Sequence, residues 1–457
     1  MRTNAVPALL FVLLALVAAG CGATRAARAP LVVDTDLSSD DLIALAYLLE
    51  SPRVDVKAVT VSGTGLVECP AGARVAADLL SALGHADVPV ACGRTLPLAG
   101  TNTLPSDWRT AADSMFGLDL PAARTDPRRS AVSLLATTIG GSSTAPTVLE
   151  LAPMTNLGET LRLHPGLAKR IRAVVAMGGA FAVPGNAPDD AAAETNVWVD
   201  PSAARTVLRS GVPLTLVPLD ATNQVPVTTF VGRALRRYHF ESPAATIVWD
   251  LVLATAMDRG GQYFWDPLAA ATVTEGSLVT TASRRIAVAP DGRTAVTTRG
   301  TPARIVTGVN RAGFERVLLA GLLDGRPFAI PAHRVAATVT YDGTTCTYRG
   351  AKSVDAGPVA LDTVNASTRP FVWVAGRLDG RHTFAQLERY ALDPSGPAAT
   401  PPWFAVDFVG TTPPHSSMTW LPTLQTGTTG STIIACATQT PPRAWLADEL
   451  PVYSSRG

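Results

Sequence analysis

The chain lacks what would commit it to several large classes of protein. Its 38 basic residues are balanced by 37 acidic ones, for a net charge of +1, and no stretch concentrates the basic ones. A nucleic-acid binder needs a basic face to displace counterions from phosphates, so nucleic acid is not expected as a partner. Histidine (6) and cysteine (5) are scarce and never take the Cys-x-x-Cys or His-x-x-x-His spacing of a zinc site. Gly178-Gly179 is not followed by the Lys-Ser/Thr of a phosphate loop. No internal repeat is present. Only 16% of residues are charged against 47% hydrophobic, a globular and not a disordered balance. At 457 residues, two domains are expected.

The amino terminus carries Arg2, the apolar run Val6–Ala19, which is too short to span a bilayer comfortably, and Ala18-Ala19-Gly20 before Cys21. This is similar to a bacterial lipoprotein signal. It implies a leader over residues 1–20, lipidation of Cys21 and a short tether over 21–30. The protein is then exported, either anchored at the cell surface or secreted, and touches membrane only through the lipid. Export implies an oxidising compartment. The other four cysteines allow three pairings. A domain boundary falls between Cys92 and Cys346, so Cys69–Cys92 and Cys346–Cys436 are expected.

What stands out is Leu31–Glu50. Leu31-Val32-Val33 suits a buried parallel strand, and Leu42, Ile43, Leu45, Leu48 and Leu49 recur at helical spacing. Between them Ser38-x-x-Asp41 makes a capping-box start. Four carboxylates, Asp34, Asp36, Asp40 and Asp41, crowd this joint. Two would be ordinary capping; four repel one another unless a cation or polar ligand lies between them. An oxygen-only set suits a hard cation, Ca²⁺ or Mg²⁺.

Strand-like and helix-like segments then alternate to about residue 325, which predicts an open, mostly parallel α/β sheet covered on both faces. Ligands in such folds bind beyond the carboxyl ends of the strands. The four acids, Ser62–Gly65, Thr155 and Gly178 all follow predicted strands and belong on that rim. Residues 96–127 read as a long surface excursion carrying Trp108. Asp291-Gly292 marks a hairpin within Arg285–Thr298. After a linker over 326–335, residues 336–457 turn to short strands and turns, an all-β sandwich with one short helix at Phe384–Tyr390.

Five motifs occur in order: Asp34-Thr35-Asp36 with Asp40-Asp41, Ala152–Asn156, Met177-Gly178-Gly179, Glu194-Thr195-Asn196 with Asp200-Pro201, and Trp265–Leu268. Together they resemble the inosine–uridine-preferring nucleoside hydrolase family over residues 31–325. The resemblance implies a Ca²⁺-dependent N-ribohydrolase acting on a small nucleoside. Asp36, Asp41, the Thr155 carbonyl and Asp266 would hold calcium, and Asp36 would also deprotonate the attacking water. Asp40, Asn186, Glu194 and Asn196 would contact the ribose. Trp265 stands where some members keep a histidine acid, which resembles the purine-preferring branch with its aromatic stacked on the base. Trp108 is the expected second stacking face.

The chain departs from the family where Leu37-Ser38 replaces a Pro-Gly pair, and where Thr64 replaces a common ribose-contacting Asn or Asp. Those departures keep a second reading in view, a surface protein that binds a nucleoside or other ribosyl compound without turnover. The carboxy-terminal part resembles a cupredoxin-like β-sandwich, but no His or Met follows Cys436 in 437–446, so a disulfide and not copper is expected there. A homo-oligomer is compatible with the sequence and not specified by it.

Overall fold

The computed structural model describes residues 28–124, 129–259, 261–323, 335–369, 371–392, 401–412, 414–420, 423–424, 431–439 and 442–453. The leader, Cys21 and nearly all of the expected linker lie outside them.

Ten strands form one sheet: β1 (Ala29–Thr35), β2 (Val54–Val61), β3 (Val90–Cys92), β4 (Arg129–Ser130), β5 (Thr147–Glu150), β6 (Ala173–Met177), β7 (Leu214–Val217), β8 (Val279–Val288), β9 (Thr294–Val296) and β10 (Thr301–Val309). Their order is β4-β3-β2-β1-β5-β6-β7-β10-β8-β9. Pairing is parallel from β4 through β10 and antiparallel only for β10–β8 and β8–β9. The order reverses at β1, whose neighbours are β2 on one side and β5 on the other. The loops leaving β1 and β5 therefore diverge to opposite sides and leave a crevice between them, the usual ligand position in open α/β sheets.

Side chains alternate across β1. Leu31 and Val33 join one apolar cluster with the helices Ser39–Glu50, Trp265–Thr274 and Arg311–Leu322, whereas Val32 joins another with Ala131–Gly141, Thr155–Leu163 and Pro201–Arg209. Both faces of the sheet are thus buried, which is why its central strands read as continuous apolar runs.

Two differences from the sequence reading matter for the site. The 96–127 excursion is not all loop: Ser106–Asp113 is a helix, and Arg109 ties it to the turn after β2 through the carbonyls of Gly63, Gly65 and Val67. The hairpin at Asp291-Gly292 is present as β8–β9, but β10 beyond it extends the sheet and pairs in parallel with β7. Pro302 and Gly308 inside β10 had masked its strand character.

The β-rich remainder forms two facing sheets, Cys346–Gly350/Ala337–Tyr341/Leu361–Asn365/Ser416–Trp420 and Val354–Asp355/Pro442–Tyr453/Ser431–Gln439/Phe371–Leu378/Phe404–Thr412. Val339, Tyr341 and Trp420 from one meet Phe371, Trp373 and Ile434 from the other in a shared core. Cys346–Cys436 joins the two sheets, and Cys69–Cys92 forms within the first unit, as expected. Strands Phe404–Thr412 and Ser416–Trp420 had no counterpart in the sequence reading. The short helix is found at Phe384–Leu392.

Candidate active site

The β1-to-helix turn solves the absence of glycine in an unexpected way. Leu37 itself adopts a left-handed backbone, φ 56°, while fully buried. Ser38 stays extended (φ −61°, ψ 169°) and becomes the N-cap of Ser39–Glu50. For a branched side chain the left-handed region costs about 1–2 kcal/mol. Hydrogen bonds fix the turn against that cost. Leu37 N donates to Thr35 Oγ1 at 3.1 Å, and Ser38 N donates to Asp41 Oδ2 at 3.1 Å. The Thr35 hydroxyl donates to Asp41 Oδ1. The Ser38 hydroxyl accepts from Asp41 N and lies 2.6 Å from Asp40 Oδ1 and 2.8 Å from Asp41 Oδ2.

Three of the acids converge. Oxygens of Asp40, Asp41 and Asp266 lie within 4.8 Å of one another, and all three residues are buried. Asp266 arrives from the first turn of the Trp265–Thr274 helix, and its N–H donates to Asp40 Oδ2 at 3.0 Å. Asp36 accepts from Leu66 N at 2.9 Å and stands against Asp41. Gly65 makes that approach feasible: a Cβ there would lie 2.1 Å from Asp36 Oδ2.

The remaining expected residues divide into those the fold brings in and those it leaves outside. Thr155 opens its helix beneath the cluster, and its hydroxyl is 2.9 Å from Asp200 Oδ2 and 2.9 Å from Thr64 Oγ1. Thr64 is buried in a hydroxyl chain with Ser62 and Thr155. Glu194 is buried as the N-cap of Thr195–Val199 and accepts from Gly179, Asn196 and Val197 N–H groups at 2.8–3.1 Å. Asn196 donates to the Leu151 carbonyl at 3.0 Å, which ties it to the loop after β5. Asn186 is exposed and folds back on Thr195, its Oδ1 accepting from the N–H at 2.9 Å. Trp265 is half-buried against Tyr263, ring centroids 5.6 Å apart. Trp108 is 46% exposed on its helix.

Asp34, Asn156 and Asp200, present in the sequence motifs, belong to a supporting layer whose Thr60 and Glu150 the sequence reading left unmarked. Asp34 is held at Oδ1 by Thr60 (2.6 Å) and Asn156 (2.7 Å). Asp200 caps Pro201–Arg209 and accepts from Leu98 N at 2.7 Å as well as from Thr155. Glu150 ends β5 with no exposed surface. An acid within the apolar Thr147–Leu151 run was the only signal for it.

Burial, first, raises the carboxyls of Asp36, Asp40, Asp41, Asp266 and Glu194 above their ordinary values, with Asp41 pushed up to about 6. Mutual repulsion among Asp36, Asp40, Asp41 and Asp266 adds to this. Among the described residues no Lys, Arg or His forms an ion pair with them. Oδ1 of Asp266 is buried and meets no donor. Buried acids with no basic partner and an unmet oxygen are what a hard cation requires, and the all-oxygen donor set fits one. A cavity of about 400 Å³ is lined by Ser39, the residue before Asp40, and by Ala111, Ser114, Phe116, Ala254, Thr255, Met257 and Gln262.

The chain is similar to several known proteins. The sequence model of the inosine-uridine preferring nucleoside hydrolase family matches residues 31–316. The pyrimidine-specific ribonucleoside hydrolase RihA of Escherichia coli O1:K1 is 33% identical over 272 residues, 58% of this chain and 85% of that protein. Among solved structures, the plant nucleoside hydrolase PpNRh1 is similar with a TM-score of 0.59 and 26% identity, covering 65% of this chain and 99% of its own. The purine-preferring ribonucleoside hydrolase from Gardnerella vaginalis is similar with a TM-score of 0.57 and 25% identity, over the same shares.

Proposed function

Because the chain belongs to the inosine-uridine preferring nucleoside hydrolase family, we propose that it is a calcium-dependent N-ribohydrolase that prefers purine ribonucleosides and releases free base and ribose. The observation that carries this reading is the buried cluster of Asp36, Asp40, Asp41 and Asp266 at the β1/β5 crevice, without a basic partner. Asp36, Asp41, Asp266 and the Thr155 carbonyl would hold the cation. Calcium, when bound, polarises a water and lowers its pKa. Asp36 accepts the proton of the attacking water. Asp40, Glu194 and Asn196 face the ribose, with Asn186 at the outer edge. Positive charge develops on the sugar as the C–N bond breaks, and the surrounding carboxylates stabilise it in a site closed to solvent.

The purine preference rests on Trp265, an aromatic in place of an acid immediately before Asp266. The protein works outside the cytoplasm in this proposal, lipid-anchored at Cys21 or secreted, and its two disulfides support that placement.

Initial rates on inosine, guanosine, adenosine, uridine and cytidine, with calcium and with chelator, test the reading. Purine turnover that stops with chelator is expected. Turnover without calcium overturns the metal role, and faster uridine cleavage overturns the purine preference. Asp36→Asn is expected to bind nucleoside and lose turnover. A wild-type protein that binds nucleosides without cleaving them would instead establish the non-catalytic reading.

A further inference from the structure

The β8–β9 hairpin at Asp291-Gly292 has no part in the proposed chemistry, yet its tip lies against the loop that carries Glu194. That loop runs from Gly178, after β6, to Glu194, the N-cap of Thr195–Val199. It is gripped near both ends. At its start the Thr294 hydroxyl accepts from Ala180 N at 3.0 Å and donates to Ala180 O at 2.8 Å, closing both backbone groups of one residue across 114 positions in the chain. Near its end the Arg293 guanidinium meets both oxygens of Asp190, at 2.9 and 3.2 Å, across 103 positions. The Asp190 carboxylate in turn accepts from Ala192 N at 2.9 Å, and its carbonyl accepts from Ala193 N at 3.0 Å, so the grip extends to the residue before Glu194. Gly292, at φ 89°, brings its backbone onto the helix that Glu194 caps: a Cβ there would lie 2.5 Å from Trp198 Cα.

We propose that Thr294 and Arg293 are positioning residues: the hairpin tip clamps the Gly178–Glu194 loop at both ends and thereby fixes where the Glu194 carboxylate points. The route is short. Glu194 Oε2 accepts from Gly179 N at 3.0 Å, and Gly179 is the neighbour of Ala180. The other N–H groups on Glu194, those of Asn196 and Val197, belong to the helix that Gly292 abuts. The carboxylate is thus held between two pieces of backbone, and the hairpin tip touches both. Asp220 takes the N–H groups of Phe181 and Ala182 at 2.9 and 2.7 Å, which fixes the loop beyond Ala180 and leaves Ala180 itself to Thr294. Arg293 is 55% exposed, so solvent screens its pair with Asp190, and the half-buried Thr294 hydroxyl carries the larger share. A group that must meet a sugar hydroxyl at hydrogen-bond distance tolerates little displacement: an error of about 1 Å costs up to about 100-fold in rate.

The inference rests on the proposed ribose contact of Glu194, and the test keeps the two apart. Steady-state rates on inosine and uridine are measured together with calorimetric titrations of D-ribose and of calcium. Thr294→Val keeps the shape and loses the hydroxyl. Its kcat/KM and its ribose affinity are expected to fall about tenfold or more. Its calcium affinity is expected to stay as in wild type, because no proposed calcium ligand lies on the loop or the hairpin. Thr294→Ser, which keeps the hydroxyl, is expected to recover both losses, and Arg293→Ala to show a smaller fall in the same direction. Wild-type ribose affinity and kcat/KM in Thr294→Val overturn the positioning role, as does a calcium affinity that falls in step with them. A wild-type protein that neither cleaves nucleosides nor binds ribose overturns the ribose contact instead. Hydrogen exchange over residues 179–194 then decides the clamp: faster exchange in Thr294→Val than in wild type and Thr294→Ser is expected, and equal exchange overturns it. If Thr294→Val does not fold, Arg293→Ala, altered at an exposed side chain, supplies the same comparisons.

Discussion

Leu37 offers a test in which the difference between two variants at one position discriminates. Its side chain is fully buried and its backbone sits at φ 56°. Leu37→Ala removes the side chain and keeps the strain, at a cost of about 2–5 kcal/mol for a buried leucine. Leu37→Gly removes the same packing plus one methyl, but relieves about 1–2 kcal/mol of left-handed strain. Glycine's extra freedom in the unfolded chain costs back about 0.5–1 kcal/mol. At an ordinary position glycine is therefore the less stable of the two. The buried methyl costs about 0.8 kcal/mol more, so at Leu37 the relief of strain roughly cancels both losses and the two variants are expected to lie within about 0.5 kcal/mol of each other. Urea unfolding of the two variants, followed by a probe confined to the first unit such as fluorescence on a background lacking the tryptophans of the second, gives the comparison. The difference in midpoints carries the result, provided the slopes match. A glycine variant less stable than the alanine variant by the ordinary cost, about 1.3–1.8 kcal/mol, would refute the left-handed turn and, with it, the account of how this joint holds Asp36 and Asp41 without a glycine.

Four further outcomes follow from the same geometry. Gly65→Ala places a Cβ 2.1 Å from Asp36 Oδ2, so calcium affinity measured by titration should fall severely, while Gly84→Ala, which meets no atom within 4 Å, leaves it unchanged. Asp266→Asn removes a carboxylate from the cluster and should weaken calcium binding about tenfold or more, read by calorimetry; unchanged affinity would exclude it as a ligand. Calcium at about 100 times its dissociation constant should stabilise the first unit by about 2.7 kcal/mol, seen as a higher unfolding midpoint that chelator abolishes. Replacing Cys346 and Cys436 with serine opens a link spanning 90 residues and should destabilise the β-rich unit by about 4–5 kcal/mol in the chain-entropy account, with nucleoside turnover unchanged.

Much of the architecture was legible because it rests on local signals. The apolar Leu31–Val33 run, the Ser38 cap and the helical spacing that follows are set by neighbours in the chain, and the structure has them in place. The rim was legible for the same reason, since a residue that follows a parallel strand must lie at that strand's carboxyl end. Other elements were hidden by breakers. Pro302 and Gly308 disguised β10, and the excursion to residue 127 concealed the Ser106–Asp113 helix. Trp108 on that helix shows the limit of composition: an aromatic in a functional loop region lies 46% exposed, with its helix anchored through Arg109.

The order of residues alone determined which side chains are acids, where they sit relative to strands and helices, and which cysteines share a unit. These depend on period, caps and chain proximity. Only the tertiary structure decided that β5 lies beside β1, and the consequences are all long-range. Asp266 meets Asp40 across 226 residues, and Asn156 meets Asp34 across 122. Asp34 faces Glu150 because two strands pair in register, and Leu37 bears a left-handed turn where the chain passes from β1 into the helix. Burial supplies the physical reason. A carboxylate at a helix start is an ordinary cap in water, but enclosed with several others and no basic group it requires a cation or a shared proton.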